Sequence, residues 1–136
     1  DAESEEAIKN KDELYVKEIG ERDYRSLKQN SNYWKAWLPA FCSNIDGMEK
    51  YVIHSDNKFD YTPAHRYLTL RWAMEKNYTD MIQTIPVLQE GKITKAAIVS
   101  FSFLSCSQKY ANDYINWIFL LFESIKGVSL EACSRQ

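Results

Sequence analysis

The chain predicts an all-α fold: a compact bundle of five to seven helices around a buried C-terminal helical hairpin at about 94–126. Three observations lead there. Residues 96–125 carry only Lys109, Asp113 and Glu123 as charged side chains. Apolar residues recur at helical spacing along much of the remaining chain. Four Gly and three Pro are too few for a turn-dense all-β fold.

The hairpin is read as helices over about Thr94–Tyr110 and Asp113–Lys126. In the first, Ala97, Ile98, Phe101, Leu104 and Ser105 share a face, while Val99 and Phe103 lie on another, so apolar residues surround it. In the second, Ile115, Ile118, Phe119 and Phe122 form one face, and Tyr114, Trp117, Leu121 and Ile125 cover most of the rest. Asn112 is the expected N-cap and Gly127 the expected left-handed terminator. Neither segment reaches the roughly 20 apolar residues a bilayer crossing needs, so no membrane span is expected.

Ahead of the hairpin, residues 1–29 hold nine acidic and six basic residues, with Ile8, Leu14, Tyr15 and Ile19 marking a weak amphipathic helix. Residues 1–10 are expected to fray. Asn30-Ser31-Asn32 reads as a break. Trp34, Leu38, Phe41, Ile45, Met48 and Val52 then recur at alternating spacings of four and three, as one buried stripe requires. Pro39 forces that helix to start or kink there. Residues 54–61 read as an irregular loop. Thr62-Pro63 opens a helix to about Lys76 that buries Leu68 and Trp72, and Asn77 closes it. A further helix is expected from Thr79 or Asp80 to Gly91, burying Met81, Ile82, Ile85 and Leu88 and disturbed at Pro86. Residues 128–136 form a tail or a short helix after Ser129. One domain over 1–136 is expected at this length.

The composition narrows function. A net charge of −2 gives no global attraction to nucleic acid, and no nucleic-acid partner is expected. Cys42, Cys106 and Cys133 are scattered, odd in number and fit no metal spacing. With no apolar leader at the start of this chain, they favour a reducing cytoplasm. The sequon Asn77-Tyr78-Thr79 matters only for a secreted protein. Asp56, Asn57 and Asp60 lack the Gly and bidentate Glu of a calcium loop. His54 and His65 are the sole side chains suited to proton transfer near neutral pH, and no nucleophile elbow, phosphate loop or zinc motif occurs. No catalytic, cofactor or metal residues are therefore assigned. The expectation is a non-enzymatic domain that binds another protein, as an antagonist, immunity-type inhibitor or adaptor. Its partner-binding residues are expected to be Asp56, Phe59, Asp60 and Tyr61 in the loop, with Trp34 and Trp37 near Pro39. A partner with a basic surface would complement Asp56 and Asp60. The rival readings are an apolar-ligand carrier and an enzyme without a recognisable motif. The oligomeric state is left open.

The run from Gly91 to Phe103 (Gly-Lys-Ile-Thr-Lys-Ala-Ala-Ile-Val-Ser-Phe-Ser-Phe), followed by a helix bearing Trp117, resembles the central hairpin of Bcl-2-like proteins. The resemblance covers about a quarter of the chain. The signature Asn-Trp-Gly-Arg of that family would fall on Ile93, Thr94, Lys95 and Ala96, and none matches. The resemblance thus implies a regulator with the architecture of the family and a degenerate groove.

Overall fold

A computed structural model describes residues 27–100 and 106–135. The expectations for the N-terminal amphipathic helix, for Phe101 and for Leu104 lie outside those residues.

Helical backbone runs unbroken over 27–44, so Asn30-Ser31-Asn32 is not a break. Within it Tyr33–Trp37 is a π-turn, followed by α1 at Leu38–Asn44. Pro39 explains the widened turn: it has no N–H to give and its ring presses on the carbonyl four residues back. The chain continues through a 3₁₀ turn at Met48–Tyr51 and a first hairpin, β1 Ile53–Ser55 and β2 Lys58–Asp60. Next come α2 at Thr62–Glu75 and a 3₁₀ turn at Thr79–Met81. A second hairpin pairs β3 Ile82–Gln89 with β4 Lys92–Val99. The last elements are α3 at Gln108–Lys126 and α4 at Leu130–Ser134.

The protein is therefore not all-α and not a bundle of five to seven helices. Of the described residues 61% are helical and 21% lie in strands, in about four helices and two antiparallel two-stranded sheets. The largest correction concerns 82–99, read from sequence as one whole helix and the start of another. Its β-branched residues Ile82, Thr84, Ile85, Val87, Ile93, Thr94, Ile98 and Val99 flank Glu90-Gly91 and suit a pleated surface. Glu90 (φ 52°) and Gly91 (φ 76°) both adopt left-handed conformations. That is the two-residue loop whose twist matches paired strands, with glycine where a Cβ is costly. The loop sets the register, Gln89 opposite Lys92 through to Ile82 opposite Val99. Hydrogen-bonded pairs alternate outward from the loop, so Pro86, opposite Lys95, falls at a non-bonded site where its missing N–H costs nothing. Because Lys92–Val99 is a strand, the helical hairpin on which the Bcl-2-like resemblance rested does not exist, and the architecture it implied does not hold.

The core is built by the helices. Tyr33, Leu38, Phe41, Leu68, Trp72, Tyr114, Ile118, Phe122 and Leu130 are all buried. On α3, Ala111, Tyr114, Ile115, Ile118 and Phe122 form the buried stripe. α3 starts five residues earlier than expected, at Gln108: the side chain of Ser107 accepts from Tyr110 N–H as its N-cap, and Asn112 lies inside the helix. Gly127 terminates it at φ 72°, its N–H donating to Glu123 O at 2.8 Å. Ser129 caps α4 through Ala132 N–H. Among the described residues no helix is long and apolar enough to cross a membrane.

Two polar links tie the core together. Tyr33 and Tyr114 pair hydroxyl to hydroxyl at 2.7 Å, and the Tyr33 hydroxyl also lies 2.8 Å from His65 Nδ1. The Trp72 indole N–H donates to Asp113 Oδ2 at 3.0 Å. Burial drives the Tyr33 and Tyr114 hydroxyls well above the ordinary tyrosine range, so both stay neutral bond formers.

Truncation measures where the core lies. Phe122→Ala removes a fully buried ring and should cost about 3–5 kcal/mol in urea unfolding. Leu88→Ala, at a hairpin position 73% exposed, should cost no more than about 0.5 kcal/mol. Equal losses would show that the second hairpin contributes to the core as much as the helices do.

Candidate functional site

A cleft of about 740 Å³ opens beside α1. Its floor is the π-turn and α1, through Lys35, Ala36, Pro39 and Ala40. Val52, His54, Phe59 and Tyr61 form a wall on and around the first hairpin, and Cys133 and Ser134 of α4 border it. The volume lies within the usual range for binding pockets, roughly 300–1,000 Å³.

The wall is ordered by local chemistry. Asp56 (φ 51°) and Asn57 (φ 62°) make a two-residue turn, and both residue types tolerate left-handed backbone. Ser55 opposite Lys58 closes the turn, which places His54 opposite Phe59 at a non-bonded pair, where side chains stand closest. Their rings stack at 4.5 Å and 13°. Phe59 also stacks on Tyr61 at 6.2 Å and 29°. A three-ring ladder thus lines one side of the cleft, with Phe59 59% exposed. Stretch 54–61, expected to be an irregular loop, is a hairpin.

The six residues singled out from sequence divide into three groups. Phe59 and Tyr61 line the cleft. Asp56 is exposed at the tip of the same hairpin. Asp60 is exposed, but its Oδ1 accepts the Thr62 N–H at 3.0 Å and the Thr62 hydroxyl at 2.6 Å. It fastens the hairpin to the start of α2, and those bonds hold its carboxyl below the ordinary value of 3.8. Trp34 and Trp37 do not line the cleft. Trp34 packs on Tyr33 and His65, with centroids at 5.3 and 4.8 Å, and Trp37 meets Phe119 edge-on at 5.0 Å.

Sequence reasoning missed His54 as a cleft residue, along with Lys35, Pro39, Val52 and Cys133. The Asp56-Asn57 turn held the signal for His54, because the register it sets puts His54 beside Phe59. Nothing in the sequence reported that α4 returns to α1.

Burial pushes the Cys42 thiol up to about 12, far from the thiolate a nucleophile needs. His54 makes no hydrogen bond among the described residues, so no carboxylate orients it as a base. His65 serves the Tyr33–Tyr114 pair and lies outside the cleft lining. Among the described residues no group of three or more His, Cys, Asp or Glu is placed to hold a metal ion. No protein-family model, no curated protein and no solved structure matches the chain.

Two measurements follow from these shifts. Iodoacetamide at about pH 8 should leave Cys42 unmodified in the native protein, since roughly one thiol in ten thousand would be ionised. Alkylation of Cys42 at the rate of an unfolded peptide would contradict the burial. Asp60 has its pKa lowered by folding, so its stabilising effect is present above the unfolded value and lost as pH falls through the folded one. Thermal melting of wild type and Asp60→Ala should show a gap that is steady above about pH 5 and closes below 3.8.

Proposed function

We propose that this chain is a non-enzymatic protein-binding domain and that the cleft beside α1 receives a segment of its partner. One observation carries the reading: His54 and Phe59 stack in an ordered ladder yet lie outside the core, while Tyr61 at its foot packs against the core. A ring as exposed as Phe59 adds little to the core, whereas aromatic side chains held rigid at a concave surface supply contact area at low entropic cost. Asp56, free at the hairpin tip, suits a basic residue on the rim of the partner and contributes orientation and on-rate. Asp60 is assigned no role in the contact, since its Oδ1 holds the start of α2 through Thr62.

The test uses the partner captured from the native source by affinity pull-down. Phe59→Ala should weaken binding by about tenfold or more, the scale of a central aromatic contact. Its melting temperature should fall by no more than a few degrees, because the ring is not in the core. Asp56→Ala should slow association and reduce its salt dependence while leaving dissociation nearly unchanged. Full affinity in Phe59→Ala would remove the cleft from the interface.

A further inference from the structure

The polar groups that line the cleft are unevenly committed. The Ser43 hydroxyl and the Asn44 amide donate to Ala40 O at 3.3 and 2.8 Å. The Ser134 hydroxyl donates to Glu131 O at 2.8 Å. The Glu49 carboxylate accepts Gly47 N–H at 3.0 Å. In contrast, the Lys35 ammonium, the His54 imidazole and the Tyr61 hydroxyl make no hydrogen bond or ion pair among the described residues, although all three line the same cleft. Each of them can donate a hydrogen bond, and Lys35 carries a full charge. The same lining includes the apolar side chains of Ala36, Val52 and Phe59.

We infer that the partner segment seats an apolar side chain against Phe59 and, next to it, an aspartate or glutamate whose carboxylate meets Lys35 with support from His54 and Tyr61. The inference rests on the protein-binding reading above and adds the chemistry of the bound segment. The reasoning is one of complementarity. An apolar segment alone would desolvate three donors without replacing their water, and each buried group left unpaired is costly. A basic segment would bring a second cation toward Lys35. A carboxylate satisfies the ammonium and up to two further donors through charge-assisted bonds, which are stronger than neutral ones. The rim favours the opposite sign at Asp56, so the two charges on the segment would also set its direction in the cleft.

A random dodecapeptide library displayed on phage and panned against the full chain tests this. The selected peptides should share an Asp or Glu adjacent to an aliphatic or aromatic residue. In a synthetic peptide of the selected sequence, exchanging that acid for its amide should weaken binding about tenfold or more. Lys35→Glu should weaken it at least as much, and a peptide carrying Lys at the acidic position should bind Lys35→Glu better than it binds wild type. Lys35 is solvent-exposed, so the variant is expected to melt with the wild type; Lys35→Ala serves if it does not. Selected peptides with no acidic position, or an unchanged preference in Lys35→Glu, would overturn this inference and leave the protein-binding reading intact. No enriched peptide at all would overturn both. Laurate bound in a Lys35-dependent way, with no peptide enriched, would overturn it by assigning the cleft to a free aliphatic acid.

Discussion

The π-turn at Tyr33–Trp37 is the constraint on which the remaining structure depends. An α-helix advances about 100° per residue, and a widened turn inserts one residue without adding a turn. The buried stripe therefore runs Tyr33, Leu38, Phe41, with a first spacing of five where an α-helix would need four. That extra residue rotates Tyr33 into the core, where its hydroxyl meets Tyr114 of α3 and His65 of α2. Three separate helical segments are thereby joined through one oxygen in a dry environment, where such a bond is strong and its loss leaves an unpaired polar group. The same rotation turns Lys35, Ala36 and Pro39 toward the cleft. Pro39, which disfavours a normal helical turn before it, thus shapes both the core and the candidate site.

Sequence pattern revealed the elements whose environment is one-sided. α3 alternates buried and exposed residues at 3.6 spacing, and its glycine stop at Gly127 lies where the pattern put it. α2 opens at Thr62-Pro63 and ends beside Asn77, whose φ of 60° is the left-handed position an asparagine tolerates. The first stripe was only partly legible, because a spacing of four from Trp34 to Leu38 looks regular while the true partner of Leu38 is Tyr33. No local rule marks a π-turn except the proline that follows it.

The second hairpin was illegible for a different reason. Met81, Ile82, Ile85 and Leu88 satisfy helical spacing by accident, and apolar residues on both strands mask the alternation a half-buried strand should show. The signal lay in β-branched content on both sides of Glu90-Gly91, and in Pro86, which suits a non-bonded strand site better than a helix interior. For the candidate site, the aromatic pair Phe59 and Tyr61 was legible as a surface feature, whereas the role of Asp60 was not. Its tie to Thr62 depends on the hairpin ending where α2 begins, a fact of geometry that composition does not encode.

The two hairpins solve one problem in different ways. A two-stranded sheet is marginal by itself and leaves unpaired backbone along its edges. β1–β2 is short, and it is anchored at one end by Asp60 and along its length by the stacked rings that also line the cleft. β3–β4 is eight residues long on each strand, and near its tip Leu88 and Ile93 are 73% and 79% exposed. Half-buried Ala96, Ile98 and Val99 secure the far end of β4. Pro86 removes one outward donor from β3, and exposed Lys92 and Lys95 place charge along β4. Those are devices that discourage another chain from adding a strand. In the first hairpin, by contrast, neither strand contains proline, and the exposed face carries aromatic rings. The second hairpin thus carries features that discourage contacts along its edges, whereas the first leaves an aromatic face open to solvent, and that difference supports the proposal that the working surface lies at Phe59.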